Sequence, residues 1–163
     1  MIQQADHTPL EAPSAICALP YPERFTVWAA RVWIECFRAN NPTCPRLENM
    51  FRHARLSEHL GPFYAFFTLV AHGAQRKLDF RCPGCKNVGE DERLLLTILA
   101  AQQWGSPATA DSILTDWLYR SAARRAAYPA RMFAHGLAEA GLILDCQTSP
   151  LGVPVDTEKH AMH

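Results

Sequence analysis

The chain has 163 residues, with 16 basic and 16 acidic side chains, so its formal net charge is zero when histidine is neutral. That length fits one domain with a core large enough to need no disulfide framework, and the charge balance gives no bulk argument for nucleic acid or an acidic membrane as partner. The opening Met1–His7 lacks the basic and apolar regions of a signal peptide, and the most apolar runs, Phe63–Ala71 and Leu94–Ala101, fall far short of the ~20 residues that span a bilayer, so a cytoplasmic protein with reduced thiols is expected.

Residues 1–20 carry Pro9, Pro13 and Pro20 with no helical period and read as a flexible arm. Pro22 then suits the first turn of a helix, where a missing N–H costs nothing. Phe25, Trp28, Ala29, Val32, Cys36 and Phe37 follow at one-face spacing, and Asn40-Asn41-Pro42 ends the run. A second helix is expected from Pro45, with Leu47, Met50, Phe51 and Ala54 on one face. Gly61-Pro62 opens a third, whose face is Phe63, Phe66, Phe67, Val70 and Ala74.

Lys77 to Arg81 reads as extended, with Leu78 and Phe80 on one side. Asn87-Val88-Gly89-Glu90 reads as a capping box that starts a fourth helix burying Leu95, Ile98 and Leu99. Gly105-Ser106-Pro107 supplies a stop, a cap and a new start for a fifth helix with Ile113, Leu114, Trp117 and Leu118 inward. Pro129 is read as opening a sixth helix that buries Phe133, Ala134, Leu137 and Ala138 and ends at Gly141. Leu142-Ile143-Leu144 is expected to be a short strand pairing with Leu78–Phe80. Residues 147–163, with Pro150, Gly152 and Pro154, read as a flexible tail. The expectation is a mainly α protein: one compact helical domain of about six helices over residues 21–146, with a minor two-strand patch.

Cys82-Pro83-Gly84-Cys85 is the motif with the clearest chemistry. Two thiols two residues apart across a Pro-Gly turn can aim at one point, and the thiolate is the ligating form. The turn supplies half of a tetrahedral site. Cys36 and Cys44, at the end of the first helix and just beyond it, are the best second pair. A centre of Cys36, Cys44, Cys82 and Cys85 would accept zinc or an iron–sulfur cluster. His53, His59 or His72 could replace one cysteine, while Cys17 and Cys146 are spares read as small hydrophobes. The plain alternative is six buried or idle thiols. A thioredoxin-like dithiol is disfavoured because helices, not a βαβ unit, surround the motif. The dipeptides Cys44-Pro45 and Cys82-Pro83 also look like haem-regulatory motifs.

A helix ending at Trp104-Gly105, a short helix, then a helix ending in Ala138-Glu139-Ala140-Gly141-Leu142-Ile143-Leu144 together resemble the core of bacterial winged-helix regulators. The resemblance covers Glu90 to Cys146. It implies a DNA-binding transcriptional regulator in which Arg124, Arg125 and Arg131, with Arg120, contact phosphates. The cysteines would then sense metal, redox state or haem. Against it stand the neutral chain and an Ala-rich recognition helix short of base-reading side chains. The bland reading of those arginines is a solvated face.

No Gly-rich phosphate loop is present, and Ser106 and Ser121 lie in no nucleophile setting. Glu90, Asp91 and Glu92 are accounted for by the helix dipole. The aromatic run Phe63–Phe67, with Trp28 and Trp33, reads as core, or else as the pocket of a cofactor-handling enzyme subunit. With no catalytic constellation, the leading expectation is a non-enzymatic metal- or cluster-binding accessory, sensor or adaptor that works through a protein partner.

Overall fold

A computed structural model describes residues 15–145. Those residues form six α-helices: α1 (Tyr21–Arg38), α2 (Pro45–His53), α3 (Leu60–Gly73), α4 (Glu90–Gln103), α5 (Pro107–Trp117) and α6 (Arg120–Glu139). Short 3-10 turns at Ile16–Ala18 and Ser57–His59 complete the regular structure. No described helix is long and apolar enough to cross a membrane. The expectations for residues 1–14 and 146–163 lie outside the described residues.

Proline marks three of the six α-helix starts. Pro22, Pro45 and Pro107 each sit in a first turn, where the lost N–H has no intrahelical acceptor to satisfy. Asn40 and Gly105 take positive φ just after α1 and α4 and turn the chain back sharply.

The core lies where α3 packs along α6, the most extensive helix–helix contact. Phe51, Phe63, Phe66, Phe67 and Phe133 are all buried there. The Phe63 ring centroid is 5.0 Å from that of Phe51, 4.8 Å from Phe67 and 5.1 Å from Phe133, within the range that aromatic pairs favour. Each such ring contributes about 1.5–3 kcal/mol by leaving water. On α6 the buried positions Ala123, Ala126, Ala130 and Ala134 are small, which lets the helix lie close to its neighbours. The aromatic run of α3 is therefore packing material. On α1, Trp33 is buried, whereas Trp28 faces outward with the Arg46 guanidinium 5.7 Å from its ring.

Three expectations need correction. Helix α6 does not open at Pro129 but runs through it from Arg120. Proline there removes the N–H that would bond the carbonyl four residues earlier, at Arg125. Arg125 is exposed, so water can serve that carbonyl, and the buried alanines on either side hold the helix together. The cap of α4 is Gly89 rather than Asn87, and the reaching acid is Glu92, whose Oε2 accepts from Gly89 N at 2.7 Å. A Cβ at Gly89 would collide with the Asp79 backbone, so glycine belongs here for close approach.

The third correction concerns the two-strand patch. Among the described residues no strand forms, and Leu78–Phe80 does not pair with Leu142–Leu144. Side chains occupy the hydrogen-bonding positions instead. Asp79 N donates to Asp91 Oδ2 and Arg81 N to Glu92 Oε1. Leu142 O accepts from Gln103 Nε2, Leu144 N donates to Gln103 Oε1, and Leu144 O accepts from Trp104 Nε1. With no wing strand, the winged-helix likeness ends at helix spacing. Only two isolated bridges occur among the described residues, Ala15 with Asn87 and Ala74 with Leu118. The first, together with Ile16 N donating to Lys86 O, fastens the end of the N-terminal arm to the cysteine turn.

Candidate thiol site

The fold gathers the four cysteines into two pairs. Cys36 lies in the last turn of α1 and Cys44 immediately precedes α2. The intervening loop doubles back through Asn40, at φ 54°, and Asn41 N donates to Cys36 O. This places Cys36 Sγ 2.7 Å from Cys44 Sγ. Cys44 is only 2% exposed, while Cys36 is half-buried. Burial is the main force pushing the Cys36 thiol up to about 11. The bond to Cys44 and the charges of Cys44 and Glu35 add to it, and Arg46 opposes. Tyr64 of α3 stands beside the pair. Burial raises its phenol pKa, against a hydrogen bond with the Cys44 backbone.

Cys82 and Cys85 form the second pair and are joined as a disulfide. Cys85 N donates to Cys82 O across the Pro-Gly turn. Behind the turn lies a polar joint with no counterpart among the sequence expectations. Arg31, from the apolar middle of α1, is 1% exposed and forms a two-pronged pair with Glu92 at 2.7 and 2.8 Å. Its remaining donors reach Cys85 O at 2.6 Å and Asn87 O at 2.8 Å. Glu92 is fully buried and also accepts from Arg81 N and Gly89 N. Glu92 thus accepts four hydrogen bonds and Arg31 uses four of its five N–H donors, which is the condition for burying charge.

A second carboxylate extends the joint. Asp91, 3% exposed, accepts from Arg76, Asp79 N and the Trp117 indole. Burial alone would raise its pKa, but the Arg76 bond, the Asp79 amide, the Arg76 charge and Trp117 together hold it below the usual value. Asp79 is also lowered, its burial outweighed by the Glu90 amide and the Arg81 guanidinium. Glu90, Asp91 and Glu92 therefore do more than meet a helix dipole. Two of them bind the extended segment that carries the cysteine turn. A signal for this was present: an arginine within Val27–Trp33, otherwise an apolar run, has to meet a buried acid.

The other candidates lie apart. Cys17 is exposed and Cys146 is outside the described residues. His53 bonds Asn49 O, His59 faces Glu139, and His72 rests edge-on against Phe37. Arg120, Arg124, Arg125 and Arg131 are exposed on α6, with Arg131 over the Tyr128 ring. Among the described residues no group of three or more His, Cys, Asp or Glu side chains is arranged to hold a metal ion. The four cysteines stand as one thiol pair and one disulfide, and Cys82–Cys85 must be reduced before it can offer thiolates.

No protein-family description, curated protein or solved structure matches this chain.

Proposed function

We propose that the protein is a small non-enzymatic accessory or sensor whose working groups are Cys36, Cys44, Cys82 and Cys85, and that in its reduced form these thiolates take zinc or an iron–sulfur cluster. The observation that carries this reading is the pairing itself. Cysteines eight residues apart touch sulfur to sulfur, and α1, which bears Cys36, also fixes the Cys82–Cys85 turn through Arg31. Soft thiolate sets select zinc and iron–sulfur centres over hard cations. Binding would draw the two pairs together and release their protons, so affinity should rise with pH.

A protein partner suits this role. Tyr21 and Trp28, 53% and 37% exposed and seven residues apart on α1, present aromatic surface of the kind enriched in interfaces. The DNA-binding alternative rests on the α6 arginines, and among the described residues no wing strand accompanies them. Elemental analysis and a visible spectrum of protein purified without oxygen test the proposal. It expects about one zinc or one cluster per chain, as a four-thiolate site would hold. Protein with neither zinc nor iron contradicts it.

A further inference from the structure

The Cys36–Cys44 contact has a chemistry that needs no metal. Cys36 is half-buried and within reach of a small molecule, whereas Cys44 is sealed at 2% exposure beneath the loop. One thiol is placed to meet an oxidant and the other to resolve the product. The loop that joins them is held at its return by Asn41 N on Cys36 O, so the sulfurs stay together without closure of a long chain. We propose that Cys36 and Cys44 are a redox-closable pair, oxidised to a disulfide by exchange with a small-molecule disulfide, and that closure pins the start of α2 to the end of α1.

The steps balance. The Cys36 thiol gives its proton to solvent, and its sulfur attacks one sulfur of the small disulfide. That S–S bond breaks, and one thiolate leaves and takes up a proton. The Cys44 sulfur, its proton also lost to solvent, then attacks the Cys36 sulfur of the mixed disulfide and expels the second small thiol. Two cysteine thiols are oxidised by two electrons, and the small disulfide is reduced to two thiols. Arg46, Glu35, Cys44 and Tyr64 surround the attacking sulfur.

The inference stands apart from the metal reading, because metal is measured on the reduced protein and closure on the oxidised one. The test uses the full chain, reduced, freed of metal by a chelator and then exposed to excess glutathione disulfide. Free thiols are blocked by alkylation before tryptic digestion without reductant. The expected product is a pair of peptides, 32–38 and 39–46, joined through Cys36 and Cys44 and separated by dithiothreitol. The Cys44→Ser variant is expected to stop at glutathione on Cys36. Alkylated Cys36 and Cys44 after the oxidising treatment, stable glutathione on Cys36 in the unaltered chain, or Cys36 joined to a different cysteine would each overturn the proposal. The unaltered chain decides the matter even if the variant does not fold.

Discussion

The two halves of this molecule are held by different physics. Around Phe51, Phe63, Phe67 and Phe133 the helices meet through apolar faces, and their backbone groups are already bonded within each helix. Residues 76–89 have no such ladder. Their backbone amides at Asp79, Arg81 and Gly89 are bonded by the side chains of Asp91 and Glu92, with Arg31 and Arg76 neutralising those carboxylates. The comparison teaches that an extended segment can be docked on a helical body without a sheet, provided buried acids serve as its hydrogen-bond acceptors. The segment docked in this way is the one that carries Cys82 and Cys85.

One variant in each region should give the largest losses. Phe63→Ala removes a ring packed against four others and is expected to cost about 3–5 kcal/mol. Glu92→Ala leaves the Arg31 charge buried without its partner and is expected to cost a similar ~3–5 kcal/mol. Urea unfolding measures both. Hydrogen exchange separates them, because only Glu92→Ala should strip protection from the amides of Arg81 and Gly89. A Glu92→Ala protein with wild-type stability would break the comparison.

Acid should also tell the regions apart. The pKa values of Asp79 and Asp91 are lowered in the folded protein. The stability they contribute is complete above their unfolded values, about 4, and is lost as pH falls through the lower folded values. Urea stability is therefore expected to drop below about pH 4, and Asp91→Asn should flatten that drop. The Phe63→Ala protein should keep the wild-type slope. A slope unchanged by Asp91→Asn would contradict the polar account of this joint.

Smaller effects sharpen the boundary of the joint. Arg76 also meets Asp116, whose side chain is 65% exposed. Asp116→Ala should cost no more than about 1 kcal/mol and become silent at high salt. A loss as large as that of Glu92→Ala would move Asp116 into the core of the network. Cys17→Ser, at an exposed free thiol, should stay within ~0.5 kcal/mol of wild type.

The helices were legible because proline and apolar spacing act locally. Pro22, Pro45 and Pro107 marked starts, and Leu95, Ile98, Leu99, Ile113, Leu114 and Trp117 marked faces that are buried. Pro129 misled for the same local reason, since its cost to α6 is offset by tertiary packing that no window of sequence contains. Leu78 and Phe80 carry the alternation of a strand, and alternation cannot say whether the acceptors are carbonyls or carboxylates. For the site, the sequence suggested one centre of Cys36, Cys44, Cys82 and Cys85; the structure sets Cys36 against Cys44 and Cys82 against Cys85, and among the described residues it gathers no group of three or more possible ligands. Arg31 went unread because its partner lies 61 residues away.

The most direct test of the central claim, a thiolate centre spanning both pairs, is titration of the reduced protein with cobalt(II), whose spectrum reports thiolate ligation and tetrahedral geometry. The account predicts intense thiolate-to-cobalt bands that saturate at about one equivalent, as one tetrahedral site requires. Zinc should abolish them, and both Cys36→Ser and Cys82→Ser should lose them. No such bands, or bands that survive in either variant, would contradict a centre built from Cys36, Cys44, Cys82 and Cys85.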